Sequence, residues 1–123
     1  MKKIIFLIVA SLMISSNAFA QETPTPFQAV HPDKAIILQE GEAKMFCPKC
    51  TKELAMSYKT NHASNLNGKV KQYCSIHCLA KTMVDGKKVT GIKVVDNINL
   101  KFISVINSWY VMGSDKAATK GCH

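Results

Sequence analysis

The chain has 123 residues, a formal net charge of +8 and a hydrophobic fraction of 47%, and all sixteen of its basic residues are lysines. This composition is typical of a globular protein and excludes collagen-like and intrinsically disordered chains. The lysines are scattered along the chain. Because specific base readout relies on the planar Arg side chain, which is missing here, we expect no nucleic-acid partner.

The first twenty residues have the pattern of a secretory signal peptide. Lys2 and Lys3 provide the positive start, residues 4–14 are apolar apart from Ser11, and Ala18-Phe19-Ala20 provides the small residues of a cleavage site. The apolar stretch is shorter than the roughly 20 residues that a membrane-spanning helix needs. We therefore expect cleavage at the end of this segment, no membrane span afterwards, and a periplasmic or secreted protein.

The remaining sequence predicts one small domain between two less structured segments. Residues 21–34 contain three prolines and predict a linker or arm, residues 35–114 form the domain, and residues 115–123 predict a flexible tail. The predicted elements are, in chain order, a strand at 35–39, helical turns at 51–58, a polar loop at 60–68 ending in an Asn-Gly turn, a strand at 69–73, a helix at 76–84, and strands at 89–95, 100–106 and 109–112. This order predicts an α+β fold of short antiparallel strands with one or two short helices.

The helix at 76–84 has the clearest boundaries in the sequence. Ser75 is a typical N-cap residue, and Asp85-Gly86 is a typical stop. Helical spacing predicts a core-facing side made of Ile76, Leu79, Ala80 and Met83. Trp109 and Tyr110 are expected to bury one face of the last strand.

Four cysteines are arranged in two pairs, Cys47-x2-Cys50 and Cys74-x3-Cys78. A tight turn presents the first two sulfurs to one point, and a helix start places the second two on the same side of one turn. The spacing therefore predicts one small thiolate-rich metal site of the treble-clef kind. Spacing alone leaves three alternatives: a soft-metal site for Cu(I) or zinc, two structural disulfides in an oxidising compartment, and a redox dithiol at the first pair.

The softness of the donor atoms favours some metals over others, because thiolate and thioether donors select Cu(I) over harder ions. The positive end of the helix is expected to lower the pKa of Cys74 and favour its thiolate. Two further candidate ligands are Met56, which follows the first pair, and His77, which lies inside the second; Cys122-His123 offers another soft-donor pair. No Ser-His-Asp arrangement, phosphate loop or carboxylate pair stands out, so we expect no enzymatic activity.

Three stretches resemble known families. The run Gln72-Tyr73-Cys74-Ser75-Ile76-His77-Cys78 resembles the [FY]-C-S-x-x-C core of TRASH and YHS domains, small treble-clef-like modules linked to heavy-metal sensing, trafficking and resistance. Cys47-Pro48-Lys49-Cys50 stands where proteins of the NosL family have C-P-x-C-G-M, although Thr51-Lys52 replaces the Gly-Met. The run from Trp109 to Ser114 resembles the A-x-Y-V-x-G-S ending of the same family, the copper-binding accessory proteins of nitrous oxide reductase.

The NosL resemblance implies a Cu(I)-binding copper chaperone with Cys47, Cys50 and Met56 as ligands. Its implied partner is a copper-receiving periplasmic metalloprotein, such as nitrous oxide reductase, or a metal transporter. Spacing alone adds Cys74 and Cys78 to the ligand set. Two alternatives stay open: an interaction module with a structural Zn(Cys)4 site, and an exported heavy-metal-binding or thiol–disulfide protein.

Overall fold

The computed structural model describes residues 25–111. These residues form a four-stranded antiparallel sheet with one α-helix and three short 3-10 helices, which confirms the α+β fold. The strands are β1 (His62–Leu66), β2 (Lys69–Tyr73), β3 (Val89–Val95) and β4 (Phe102–Ser104); the α-helix is α1 (Ile76–Val84), and the 3-10 helices are Pro32–Lys34, Ala55–Thr60 and Val105–Asn107. The predicted signal peptide, the tail and Cys122-His123 lie outside the described residues.

The sheet has the strand order β2-β1-β3-β4, so β1 lies in its interior. β1 and β2 form a hairpin whose two-residue turn is Asn67-Gly68, with φ angles of 52° and 80°. Both turn residues need a left-handed backbone, which Asn and Gly adopt most easily, and this turn matches the twist of the strands it joins. The predicted Asn-Gly turn and the strand at 69–73 are therefore confirmed.

The polar loop predicted at 60–68 was wrong, because most of it is the interior strand β1. His62, Ala63 and Ser64 are buried there. Pairing with β2 on one side and β3 on the other satisfies the backbone of these residues. A polar sequence can thus occupy the middle of a sheet when its neighbours supply the apolar surface.

The strand predicted at 35–39 was also wrong, although this segment is extended and lies beside β2. Its backbone bonds to the side chain of Gln72, which accepts from the Leu38 N–H at 2.9 Å and donates to the Ile36 carbonyl at 3.2 Å. The Gln39 side chain in turn accepts from the Gln72 N–H at 3.0 Å. Two amide side chains therefore replace the backbone ladder that a fifth strand would make.

The helix predicted at 76–84 is confirmed at both ends, but of its predicted core-facing side only Leu79 is buried. The buried residues of α1 are Cys78, Leu79 and Thr82. Ile76 is 55% exposed and Met83 is 49% exposed. The helix is rotated so that Cys78 and Leu79, rather than Ile76 and Met83, face the centre of the domain.

Smaller corrections concern the segments around the sheet. The helical turns predicted at 51–58 form instead as the 3-10 helix at 55–60, and the strand at 100–106 shortens to β4 followed by a 3-10 turn. Residues 109–111 form no strand, and Trp109 is 99% exposed rather than buried on a sheet face. Within residues 25–111, no helix has the length and apolar character needed to cross a membrane.

The predicted arm docks through its described residues. The Val30 N–H donates to the Ala55 carbonyl at 3.0 Å, and the Lys59 N–H donates to the Gln28 carbonyl at 3.0 Å. The Lys59 ammonium also lies 4.3 Å from the ring centroid of Phe27, a cation–π contact. The arm thereby covers the 3-10 helix that follows the first cysteine pair.

Candidate metal centre

The first cysteine pair lies in a tight turn between two short extended segments. Phe46 and Glu53 form an isolated antiparallel bridge across its base. The Cys47 N–H donates to the Lys52 carbonyl at 2.8 Å, and the Thr51 N–H donates to the Cys47 carbonyl at 2.9 Å. Thr51 has a φ of 60°, so it carries the left-handed backbone that closes the turn. We call residues 47–50 the knuckle.

The second pair follows directly from the end of β2. Tyr73, the last residue of that strand, is buried, and Cys74 begins the connection to α1. The Thr60 hydroxyl donates to the Cys74 carbonyl at 2.8 Å, which fixes this connection against the second 3-10 helix. Cys78 lies four residues further on, within the first turn of α1, so its sulfur returns to the side of Cys74.

These two segments bring four thiols together, as the spacing predicted. The sulfur atoms of Cys47, Cys50, Cys74 and Cys78 all lie within 4.8 Å of one another. The Cys50–Cys74 sulfur distance is 3.3 Å and the Cys74–Cys78 distance is 3.6 Å. Both exceed the length of a disulfide bond, about 2.05 Å.

The donor set and its size fit a metal ion. An ion held by four sulfurs at about 2.3 Å has sulfur–sulfur edges of about 3.8 Å, close to the separations observed here. Thiolate-only sites take Zn(II) or soft ions such as Cu(I). The four cysteines can therefore hold one metal ion, and both metals fit the donors.

The centre is part of the hydrophobic core. Cys47, Cys74 and Cys78 are each 1% exposed or less, and they cluster with Leu54, Tyr73 and Leu79. Cys50 differs, because it is only partly buried at the edge of this cluster. The site consequently has three enclosed donors and one donor within reach of solvent.

Hydrogen bonds stabilise the thiolate form of Cys47. The Cys74 thiol contributes the largest effect, and backbone N–H groups of Cys74, Cys50 and Lys49 add to it. Burial acts in the opposite direction, but the donors outweigh it and lower the pKa of Cys47 to about 4 from an ordinary value of 9.0. One ligand is therefore already deprotonated at neutral pH, as metal binding requires.

The other two candidate ligands have exposed side chains. His77 is exposed on α1, and its ring nitrogens are not among the ligand atoms that converge with the four cysteines. Met56 lies on the second 3-10 helix with 45% of its surface exposed. Its role as a copper ligand stays a prediction.

Sequence reasoning missed a buried histidine. His62 was assigned to a polar loop, but it lies on β1 with its Nδ1 3.0 Å from the Thr60 carbonyl and its Nε2 2.9 Å from the Tyr110 hydroxyl. A carbonyl only accepts, so Nδ1 carries the proton and the Tyr110 hydroxyl donates to Nε2. Burial lowers the pKa of His62, which keeps the ring neutral. The sequence of β1 has no apolar–polar alternation, so no local signal marked His62 as buried.

No protein-family model matches the chain, and no curated protein or solved structure was found to be similar to it. The resemblances to TRASH domains and to the NosL family therefore stay predictions from short motifs. The four-cysteine centre is the feature of the described residues that points to a function.

Proposed function

We propose that the protein is an exported Cu(I) carrier, whose four-cysteine centre holds one ion and passes it to a periplasmic metalloprotein or metal transporter. The observation that carries this proposal is the asymmetry of the centre. Three thiols are enclosed, while Cys50 is partly exposed beside them. A carrier needs a tight site that a second protein can still reach.

The asymmetry of the centre suits transfer of the ion by ligand exchange. An incoming thiolate or thioether of the partner bonds to the ion on the side of Cys50, and Cys50 is the first ligand to leave. Cu(I) suits this exchange because it is thiophilic and is stable with few ligands. The buried thiols then hold the ion until the partner completes its own site.

The identity of the partner rests on the motif resemblance. The knuckle and the stretch around Tyr110 resemble the NosL family, whose client is nitrous oxide reductase. Cleavage after Ala20 would remove Lys2 and Lys3 and leave a net charge of +6 out of the +8 of the full chain. This charge supports docking on an acidic surface, because complementary charge speeds encounter between proteins. Docking to such a client is expected to slow as salt is added.

A structural zinc centre is the second candidate, and one observation favours it. Three of the cysteines form the hydrophobic core together with Leu54, Tyr73 and Leu79. A small domain with so little apolar core gains much of its stability from such an ion. In that case the centre shapes an interaction module and does not exchange its metal.

A competition experiment separates the two candidates. The reduced protein is purified without oxygen, its metal content and thiols are counted, and Cu(I) and Zn(II) are titrated against chelators of known affinity. A carrier binds one Cu(I) far more tightly than Zn(II) and releases it within seconds to a competing thiolate ligand. One zinc per chain that resists Cu(I), or two disulfides without metal, contradicts the proposal. The mass of the protein recovered from the periplasm tests cleavage after Ala20.

A further inference from the structure

Cys50 is the thiol of the metal centre that a reagent in solution can reach. Cys47, Cys74 and Cys78 are each 1% exposed or less, whereas Cys50 is only partly buried. None of these four cysteines is in a disulfide. A cysteine reacts with a disulfide reagent only where its thiolate is accessible. Any such reaction at the folded centre therefore begins at Cys50.

The sulfur of Cys74 lies beside this accessible thiol. The Cys50 and Cys74 sulfurs are 3.3 Å apart, so the length of a disulfide bond, about 2.05 Å, requires them to approach by only about 1.2 Å. The Thr60 hydroxyl holds the Cys74 carbonyl at 2.8 Å, which fixes the backbone on that side. Cys50 lies at the edge of the core, where its side chain has room to move. Cys74 is therefore positioned to react with Cys50.

The other two cysteines are less suited to this reaction. Backbone N–H groups of Cys50 and Lys49 donate to the sulfur of Cys47. That sulfur would lose these bonds on pairing with Cys50, because neutral sulfur is only a weak acceptor. The sulfur of Cys78 is 3.6 Å from that of Cys74, but both are enclosed, so a reagent reaches neither of them first. Cys47 and Cys78 should therefore stay reduced while the fold is intact.

We propose that the metal-free centre is a redox switch, in which a small-molecule disulfide such as glutathione disulfide converts Cys50 and Cys74 into one disulfide. The Cys50 thiolate attacks a sulfur of the reagent, which forms a mixed disulfide and expels one glutathione thiolate. The Cys74 thiolate then attacks the Cys50 sulfur and expels the second glutathione thiolate. The protein loses two electrons and two protons, and the two glutathione molecules gain them.

This inference rests on the proposed function, because it describes how loading of the same site is regulated. The disulfide removes two of the four thiolates, so the oxidised centre has no four-sulfur set for an ion. A bound ion in turn occupies the Cys50 sulfur and removes the nucleophile of the first step. In an oxidising compartment the empty centre therefore closes, and it accepts a metal only after reduction.

The test starts from reduced protein stripped of metal and carrying Cys122→Ser, so that the thiols of the centre are the only ones in the chain. The protein is incubated with glutathione disulfide, its remaining thiols are alkylated in denaturant, and its tryptic peptides are identified by mass spectrometry. Because trypsin cleaves after lysine, the two knuckle cysteines fall in peptides 45–49 and 50–52, and the second pair falls in peptide 72–81. We expect one disulfide between peptides 50–52 and 72–81, and two glutathione thiols released per chain. Fragmentation of the linked peptide should place the bond at Cys74 and the alkyl group at Cys78.

The metal-loaded protein is the matched control, and it should keep all four thiols under the same conditions. A disulfide between Cys47 and Cys50, a second disulfide, or equal oxidation with and without metal overturns the proposal. If the reduced protein binds Cu(I) tightly but forms no bond between Cys50 and Cys74, the switch fails and the carrier stands. If Zn(II) alone binds and protects the thiols, the carrier fails and the switch stands.

Discussion

The two cysteine pairs reach the same point by different backbone routes. The knuckle is a closed turn whose N–H groups hydrogen-bond to Cys47, and it leaves Cys50 partly exposed. The second pair spans the end of β2 and the first turn of α1, and both of its sulfurs are enclosed in the core. One pair therefore combines an anchored thiolate with an accessible one, whereas the other is part of the packing.

This difference separates what the cysteines do for the fold from what they do for exchange. The second pair connects the sheet to the helix, so its loss disturbs the core as well as the metal. The partly buried member of the first pair, Cys50, packs only against the edge of the core, so its loss should alter mainly how the metal enters and leaves. Substitutions in the two pairs should therefore have different effects: those in the second pair should lower both stability and metal binding, whereas Cys50 substitutions should mainly change metal exchange.

The largest effect is expected for Cys74→Ser. Its sulfur contacts those of Cys50 and Cys78 and supplies the hydrogen bond that stabilises the Cys47 thiolate. Changes around metal ligands already cost about 10–100-fold in affinity, so loss of this central ligand should exceed about 100-fold. The buried serine hydroxyl also costs about 1–3 kcal/mol if it stays unpaired. Chelator competition and urea unfolding measure the two effects.

Cys50→Ser is the matched comparison for that variant. Cys50→Ser is also expected to lower the affinity for the metal. It should change the unfolding free energy of the metal-free protein by less than Cys74→Ser does. In the carrier it should also change the rate at which Cu(I) passes to a competing thiolate. Equal losses of metal-free stability in both variants would contradict the division between the two pairs.

Local patterns predicted one part of this molecule well. α1 ends at Asp85-Gly86 and the hairpin turns at Asn67-Gly68, as predicted, because each of these signals acts within a few residues. α1 also begins directly after Ser75, although the Ser75 side chain makes no capping hydrogen bond. The four-cysteine centre was also predicted. A two-residue spacing in a turn and a three-residue spacing at a helix start each make the two cysteine side chains of a pair point to the same side.

Contacts between distant segments explain most of what was missed. β1 has a polar sequence, and only its two neighbouring strands make it an interior strand. The extended segment at 35–39 is held by the side chain of Gln72, about 35 residues away, which no local propensity indicates. The sequence does not predict which metal binds, because four thiolates accept both Zn(II) and Cu(I).

The pH dependence of the metal-free protein tests the anchored thiolate of the knuckle. In the folded protein the pKa of Cys47 is lowered to about 4, against 9.0 ordinarily. Between these values the unfolded chain binds a proton that the folded chain does not. The free energy of unfolding should therefore rise with pH in this window, by up to about 1.4 kcal/mol per pH unit, and this stability is lost as the pH falls through about 4.

Urea unfolding between pH 7 and 8.5 measures this slope, and comparison with Cys47→Ser separates the part due to Cys47, because the other thiols of the unfolded chain ionise in the same range. Burial lowers the pKa of His62 from its ordinary 6.5, so its own effect on stability is confined to lower pH. Cys47→Ser should flatten the slope, whereas His62→Gln should leave it unchanged in this range. The same slope in Cys47→Ser and in the unaltered protein would show that the knuckle does not hold a thiolate.

The smallest effects are expected at the two remaining candidate ligands, Met56 and His77. His77 is exposed on α1, and four thiolates already complete a tetrahedral set without either residue. Met56→Leu and His77→Ala should therefore keep one metal per chain and change the unfolding free energy by less than about 0.5 kcal/mol, as exposed substitutions usually do. Metal counting and chelator competition measure this directly. If Met56→Leu instead slows transfer of Cu(I) at unchanged stability, the thioether acts in exchange beside Cys50, and the accessible side of the centre extends beyond the cysteines.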